Sequence, residues 1–172
     1  MHAYMDQHGM LDQLIIPEIP PVPAQALAMI KAIIGEIREQ ADVAIAGASL
    51  GGFYATCLAE QYGCKAVLIN PAVRPHVLLE KYLGENINYY TSEHWMLDDS
   101  HIEQFRQMDV DVITQPERYL LMLQKGDEAL DYRQALEKYA DCPLVLEEDG
   151  DHSFAGFENH IPQILDFCGI SM

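Results

Sequence analysis

The chain has 172 residues, of which 49% are hydrophobic and 22% are charged, which is the balance of an ordinary globular protein. This length is enough to bury one hydrophobic core, so we predict a single domain spanning residues 1–172. The net charge of −17 argues against nucleic acid as a partner, because its phosphates select basic surfaces, and against docking on anionic lipid.

The chain carries no pattern typical of a metal site, a secretory signal or a membrane span. Its four cysteines are scattered, and none belongs to a CxxC pair or a His/Cys metal spacing. Asp98, Asp99 and His101 are possible ligand types, but without a second ligand set they indicate a solvated loop or a helix start. We therefore expect reduced thiols, no metal, no membrane contact and a cytoplasmic location.

The predicted elements alternate between strands and helices, which favours an α/β fold with a mostly parallel sheet and helices on both faces. The spacing of apolar residues and the positions of Gly and Pro give the boundaries of these elements. In chain order they are a helix near 1–9, a strand at 14–16, an extended proline-rich connection at 17–23, a helix at 24–40, a strand at 43–46, a helix at 50–62, strands at 66–69 and 119–123, a helix near 132–140, a strand at 144–146 and a helix at 156–168.

Residues 75–115 interrupt this alternation. They are rich in Tyr, His and Asp and show no clear strand pattern. We therefore predict a helical, cap-like insertion over one face of the sheet, within the single domain.

The segment Gly47-Ala-Ser-Leu-Gly51 matches the G-x-S-x-G motif, and it lies between an apolar strand and a helix. In α/β-hydrolases the serine of this motif occupies a sharp strand-to-helix turn, and we expect glycines where side chains on either side would collide. The nearby helix N-terminus favours a developing oxyanion. The motif predicts an α/β-hydrolase-like three-layer sandwich with Ser49 as nucleophile.

A serine nucleophile needs a base to take its proton and an acid to orient that base. In this fold class the acid precedes the base along the chain, and each follows a strand. Asp127 follows the strand at 119–123 and is the predicted acid, with Glu128 and Asp131 as alternatives.

The base is chosen among seven histidines, five of which precede the acid strand. The two that remain are His152 and His160. His160 falls inside the terminal helix, whereas His152 lies in a Gly/Asp-rich loop, where catalytic residues commonly occur. We predict His152 as the base.

Oxyanion donors are the next requirement of this chemistry. The backbone N–H of Leu50, directly after the nucleophile, is the predicted first donor. A second donor usually comes from a His-Gly loop after an earlier strand. His8-Gly9 is present but follows helical residues, so we do not predict it to be that loop.

From Ile15 onward the sequence resembles the YqiA-type bacterial esterases, a small α/β-hydrolase family. The resemblance rests on five stretches in the family's order, and Ser49, Asp127 and His152 match the family's triad positions. The stretches are Ile15-Ile-Pro-Glu-Ile-Pro-Pro-Val-Pro23, Gly47-Ala-Ser-Leu-Gly-Gly-Phe-Tyr-Ala55, Asn70-Pro-Ala-Val-Arg-Pro75, Gly126-Asp-Glu-Ala-Leu-Asp-Tyr-Arg133 and Gly150-Asp-His-Ser-Phe-Ala-Gly-Phe157. The resemblance implies hydrolysis of short acyl esters, with acyl-CoA thioesters as a further candidate class.

The front of the chain departs from that family. Similar members begin with a strand and a Tyr-Leu-His-Gly-Phe loop, whereas Met1 here corresponds to a position inside the following helix. We therefore expect one oxyanion donor to be missing and a gap in the sheet beside the nucleophile strand.

The sequence thus predicts a serine esterase that acts on a small-molecule acyl ester or thioester and needs no cofactor. Arg74 is a candidate for binding an anionic part of the substrate, with a structural salt bridge as its alternative role. Two rival functions stand beside the esterase. One is hydrolysis of another bond type by the same fold, and the other is a catalytically impaired binding module.

Overall fold

A computed structural model describes residues 1–87 and 94–170, which form seven α-helices and six β-strands. The helices are α1 (His2–Gln7), α2 (Pro23–Arg38), α3 (Leu50–Tyr62), α4 (Pro75–Leu78), α5 (Asp99–Met108), α6 (Tyr132–Lys138) and α7 (Ile161–Cys168). The strands are β1 (Ala44–Ala48), β2 (Lys65–Ile69), β3 (Gly84–Ile87), β4 (His94–Leu97), β5 (Tyr119–Gln124) and β6 (Leu144–Glu147).

The main sheet has four parallel strands in the order β1-β2-β5-β6. All six residues of β5 are buried, which explains why this strand reads as a continuous apolar run rather than an alternating pattern. Because all four strands run in the same direction, the loops that follow them meet at one edge of the sheet. The three residues of the predicted triad follow strands β1, β5 and β6 and therefore share that edge.

Helices cover both faces of this sheet. On one face, α3 and α6 contribute Ala55 and Ala135 to a core that includes Leu68 and Leu121. On the opposite face, Ile164 of α7 packs in a second core with strand residues that include Val67 and Met122. The result is the predicted three-layer arrangement.

The ends of the helices follow local rules. Proline begins α2 at its first position, where the missing N–H is not needed, and Gly63 ends α3 with a φ of 68°. Asp98 and His101 form a capping box at the start of α5, in which the Asp98 carboxylate accepts from the N–H groups of Ser100 and His101. The cluster that contained possible metal ligands is therefore a helix start.

Strand β1 lies at the edge of the sheet. Within the described residues it has a hydrogen-bonded neighbour, β2, on one side only. Ala46 and Ala48 are exposed, although strand β2, next to it, is buried from Ala66 to Ile69. The strand that precedes Ser49 is thus more open than the strand beside it.

Two features differ from the sequence-based expectation. Leu14–Ile16 is not a strand, because β-rich residues form a strand only where a neighbouring strand pairs with them, and Ile15 and Ile16 are 56% and 63% exposed. The 75–115 segment contains α4 and α5 but also the antiparallel hairpin of β3 and β4, so the prediction of no strand there was wrong. Residues 88–93 of the predicted insertion lie outside the described residues. No described helix has the length and apolarity needed to cross a membrane.

Leu121 and Leu144 are neighbours in register on β5 and β6 but differ in burial, at 0% and 46% exposure. We expect Leu121→Ala to lower the free energy of unfolding by about 2–5 kcal/mol, because it leaves a cavity in the core. Leu144→Ala, the matched control, should cost less than about 1 kcal/mol. Urea unfolding followed by circular dichroism measures both, and equal losses would contradict the burial described here.

Candidate active site

Ser49 occupies the turn between β1 and α3. Its φ of 51° and ψ of −121° are unfavourable for a residue with a Cβ atom and match the strained turn expected of the motif. The turn is fixed from β2, because the Ser49 N–H donates to the Ile69 carbonyl at 3.0 Å and the Ala72 N–H donates to the Ser49 carbonyl at 2.9 Å. The nucleophile turn therefore depends on the chain that follows β2.

Two glycines are required at this turn, but they are not the two that the motif suggests. A Cβ atom on Gly47 would lie 2.2 Å from the Gly51 carbonyl oxygen, and one on Gly52 would lie 2.6 Å from the Cβ of Pro71. A Cβ on Gly51 would meet nothing within 4 Å. The expectation that collisions require glycine on both sides of the serine was wrong for Gly51.

The structure brings Ser49, Asp127 and His152 into one hydrogen-bonded chain. His152 Nε2 lies 3.0 Å from Ser49 Oγ, and His152 Nδ1 lies 3.0 and 2.9 Å from the two carboxylate oxygens of Asp127. The Asp127 side chain is 2% exposed and that of His152 is 26% exposed. A buried carboxylate thus contacts one imidazole nitrogen, and a serine hydroxyl contacts the other.

The alternative acids make other contacts. The Glu128 carboxylate accepts the backbone N–H of His152 at 3.0 Å, and the Asp131 carboxylate caps α6 by accepting the N–H of Arg133. The alternative base, His160, pairs with Glu147 through Nε2 at 3.0 Å. Of the five residues considered as acid or base, Asp127 and His152 are the two that join Ser49.

The loop that carries Asp127 and the loop that carries His152 are in close contact. A Cβ atom on Gly126 would lie 2.2 Å from the Gly150 carbonyl oxygen, so glycine is needed directly before Asp127. Within the described residues, positive φ angles outside glycine occur at Ser49, Asn70 and Phe154, and all three lie in or beside the loops of this site. Strained backbone of this kind is typical of functional sites.

Two buried amides beside the triad were missed by the sequence analysis. Asn70 is 2% exposed and Gln124 is 1% exposed, and both bond to the loop that carries His152. In the sequence Asn70 lies between a strand and a proline, where it is typical of a turn residue with no further role. Gln124 ends an apolar strand, and a polar residue at the carboxyl end of a parallel strand was the signal that could have found it.

A cavity of about 710 Å³ lies beside the loop that follows Asp127, and Ser49, Asp127 and His152 are not among the residues that line it. Its wall includes Pro71, which lies against Gly52 at the start of α3. It also includes Ala129 and Leu130, whose N–H groups donate to the Asp127 carboxylate at 2.8 and 2.9 Å. Arg74 lines the same cavity and is exposed, and no hydrogen bond or ion pair joins its side chain to another described residue. Lys138 lies deeper and pairs with Asp109 at 2.9 Å.

Leu50 was predicted as an oxyanion donor, and His8-Gly9 was considered but not predicted. Leu50 is the first residue of α3, so its N–H has no partner within the helix and lies beside Ser49. His8 follows α1, where its ring stacks on Tyr4 at 4.2 Å and its Nδ1 lies 2.8 Å from the Tyr4 carbonyl. His8 and Gly9 thus belong to the turn that ends α1.

The cysteines offer no rival nucleophile among the described residues. All four thiols are free, and burial raises the pKa of Cys57 to about 12 and those of Cys142 and Cys168 to about 11. Burial also raises the pKa of Cys64. Thiols with raised pKa values are protonated at neutral pH and therefore react slowly.

The described sheet and the helices on its two faces are those of an α/β-hydrolase fold, and solved structures agree. Mouse alpha/beta hydrolase domain-containing protein 10 superposes with a TM-score of 0.63 at 18% identity, over 87% of this chain and 68% of the mouse chain. The esterase domain of a Rhodothermus marinus protein gives 0.57 at 16% identity, over 84% of this chain and 64% of that one. At this level of identity the likeness establishes the fold alone.

The chain belongs to the family described as Uncharacterised protein family UPF0227, which it matches over residues 1–169. This family includes the YcfP and YqiA proteins, so the resemblance drawn from the sequence motifs is confirmed. A UPF0227 protein of Serratia proteamaculans (strain 568) is 29% identical over 126 residues, which are 72% of this chain and 63% of that relative. The chain thus spans less than two thirds of the length of the curated relatives it matches.

The glycines of the nucleophile turn give a direct test of its geometry. We expect Gly47→Ala to destabilise the protein by about 1–3 kcal/mol or more, because the added methyl collides with the backbone at Gly51. Gly51→Ala should instead be neutral or stabilise by up to about 1 kcal/mol, since alanine has a higher helix propensity than glycine. Thermal and urea unfolding of both variants measures the difference, and a large loss for Gly51→Ala would contradict the space observed there.

Proposed function

We propose that this protein is a serine hydrolase that cleaves acyl esters, with acyl-CoA thioesters as a second candidate class. The observation that carries the proposal is the chain of contacts from Asp127 through His152 to Ser49, with distances of 2.9 to 3.0 Å. These distances are within hydrogen-bond reach, which is the geometric requirement for general-base activation of a serine.

The proposed reaction has two acyl-transfer steps. His152 Nε2 takes the Ser49 hydroxyl proton while Ser49 Oγ attacks the acyl carbonyl carbon, and the carbonyl oxygen becomes negatively charged. The imidazolium then gives its proton to the departing alcohol or thiol, which leaves an acyl-enzyme. Water, deprotonated by His152, then attacks the acyl carbon; the bond from that carbon to Ser49 Oγ breaks, the imidazolium returns its proton to Oγ, and the acid is released. Asp127 holds the proton on Nδ1, so that Nε2 is free to act as the base.

The oxyanion is assigned to the start of α3. The N–H of Leu50 follows Ser49 directly, and the helix dipole adds a partial positive charge at the same end. The burial of Asp127 supports this chemistry further, because a carboxylate shielded from water orients and stabilises the imidazolium more strongly than an exposed one.

The substrate is assigned to the cavity beside the acid loop. Apolar side chains at its wall, among them Val77 and Leu130, suit an acyl or alcohol chain. Arg74 is proposed to bind an anionic group of the substrate, because its guanidinium is exposed at this cavity and has no ionic partner among the described residues.

The triad is tested with an activity-based fluorophosphonate probe and a panel of esters, thioesters, amides and lactones. We expect Ser49→Ala and His152→Ala to abolish both labelling and hydrolysis. Asp127→Asn should lower kcat by roughly 10⁴-fold, since it leaves the imidazole in the wrong tautomer. Ser100→Ala and His94→Ala, whose side chains lie in the 75–115 segment, serve as matched controls and should keep wild-type labelling.

The same experiment separates the rival functions. A folded wild-type protein that is neither labelled nor active on the panel would overturn the proposal and favour a binding module. Labelling combined with hydrolysis of amides or lactones but not esters would keep the nucleophile and change the bond type.

Arg74 is tested with two esters that share acyl group and leaving group but differ by one carboxylate. We expect Arg74→Ala to raise KM for the anionic ester about tenfold, the effect of losing roughly 1.4 kcal/mol of charged hydrogen bonding. KM for the neutral ester should not change. Arg106→Ala removes an exposed guanidinium from α5 as a control. Equal effects of Arg74→Ala on the two esters would rule out the assigned role.

A further inference from the structure

We infer that Asn70 is a positioning residue of the triad, which holds the loops of the nucleophile, the acid and the base in register. Asn70 follows β2 directly, and β2 lies between the nucleophile strand β1 and the acid strand β5. Asn70 can have this role in catalysis only if the proposed function is correct.

The Asn70 side chain joins the acid strand to the base loop. Its Oδ1 accepts the backbone N–H of Gln124 at 3.0 Å, at the end of the strand that precedes the acid. Its Nδ2 donates to the carbonyl of Asp151 at 3.0 Å and to that of His152 at 3.3 Å. An N–H on one side and two carbonyls on the other fix the orientation of the amide, because only a side chain with both an acceptor and a donor fits there.

The backbone on either side of Asn70 is hydrogen-bonded to Ser49. The residue before it accepts from the Ser49 N–H, and Ala72 donates to the Ser49 carbonyl. Asn70 itself has a φ of 39°, a conformation that asparagine tolerates better than most residues with a side chain. One buried residue thus contacts or adjoins all three elements that carry the triad.

The Gln124 side chain also bonds to the loop that carries His152. Its Oε1 accepts the Asp151 N–H at 3.0 Å, and its Nε2 donates to the Ala155 carbonyl at 2.8 Å and to the Glu147 carboxylate. The hydrogen bond from Gln124, with a further effect of His160, lowers the pKa of Glu147 and keeps its carboxylate an acceptor. Residues 151–155 are therefore held at both ends by buried amides.

A positioning role for Asn70 predicts a different effect on catalysis from a merely structural role. His152 reaches Ser49 from a loop, and such a loop can shift by an ångström without unfolding the protein. A displacement of that size is enough to reduce catalysis about 100-fold. The carbonyl of His152 itself is one of the two groups that Asn70 holds, so the loss should appear in the reaction step rather than in substrate binding.

The test is Asn70→Asp, which has the same shape and tolerates the same backbone conformation. The carboxylate still accepts from Gln124 but places an oxygen against the carbonyls of Asp151 and His152. We expect kcat and the rate of fluorophosphonate labelling to fall about 10- to 100-fold, while KM changes less than about twofold. The low-field proton resonance of the His152–Asp127 hydrogen bond should broaden or disappear.

Asn86→Asp is the matched control. Asn86 also donates through Nδ2 to two backbone carbonyls, those of Tyr82 at 2.9 Å and Gly84 at 3.0 Å, but it lies in the hairpin of β3 and β4. It should retain wild-type kcat and the low-field resonance. Asn70→Gly keeps the positive φ without the amide, and it decides by the same criteria if Asn70→Asp does not fold.

Each outcome has a separate meaning. If wild-type protein is neither labelled nor active, the proposed function fails and the role of Asn70 fails with it. If wild-type protein is active and folded Asn70→Asp or Asn70→Gly keeps its kcat, only the role of Asn70 is overturned. A rise in KM alone, or an equal loss of kcat in Asn86→Asp, would also overturn it.

Discussion

The contact of 3.0 Å between Ser49 Oγ and His152 Nε2 joins residues that lie 103 positions apart in the chain. Neither residue can reach the other by local structure, so the contact depends on the register of the parallel strands between them. The strands determine where along the sheet each loop begins, and the buried polar groups beneath the loops determine how the loops are oriented. A one-residue change in that register would turn the side chains of the strand to the opposite face and separate the two side chains.

Much of this arrangement could be predicted from the sequence because parallel α/β folds repeat a simple unit. An apolar run followed by a turn and an amphipathic helix predicts where each main strand ends, and the polar residues after strand ends therefore mark the site edge. Ser49, Asp127 and His152 were predicted in this way, and their side chains lie within hydrogen-bond distance of one another in sequence from Ser49 to His152 to Asp127. The strand predicted at Leu14–Ile16 was wrong because a strand is defined by its neighbour, which a single run of residues does not reveal.

The support beneath the triad could not be predicted in the same way. Asn70 and Gln124 hold the base loop through backbone groups, and such contacts depend on three-dimensional distance rather than on any residue pattern. The reason for the glycines was also hidden. Gly52 is needed because of Pro71, a contact between the start of α3 and the segment after β2, whereas the conventional motif position Gly51 has open space around it.

Charge sets a second constraint on the chemistry of this fold. The chain carries a net charge of −17, so an anionic molecule that approaches it meets long-range repulsion, which salt screens beyond about 10 Å. Arg74 and Lys138 line the cavity, but Asp109, Asp111 and Glu137 line it too. Neutral esters approach such a surface without an electrostatic penalty, whereas a polyanionic thioester must overcome it before any local contact forms.

The exposed side of β1 has a consequence for self-association. Its sequence, Ala-Ile-Ala-Gly-Ala, contains no charge and no proline, which are the devices that normally prevent an outer strand from recruiting another chain. Backbone groups along that side are a ready template for strand addition. A strand added along this side would run beside Ala48, the residue before Ser49.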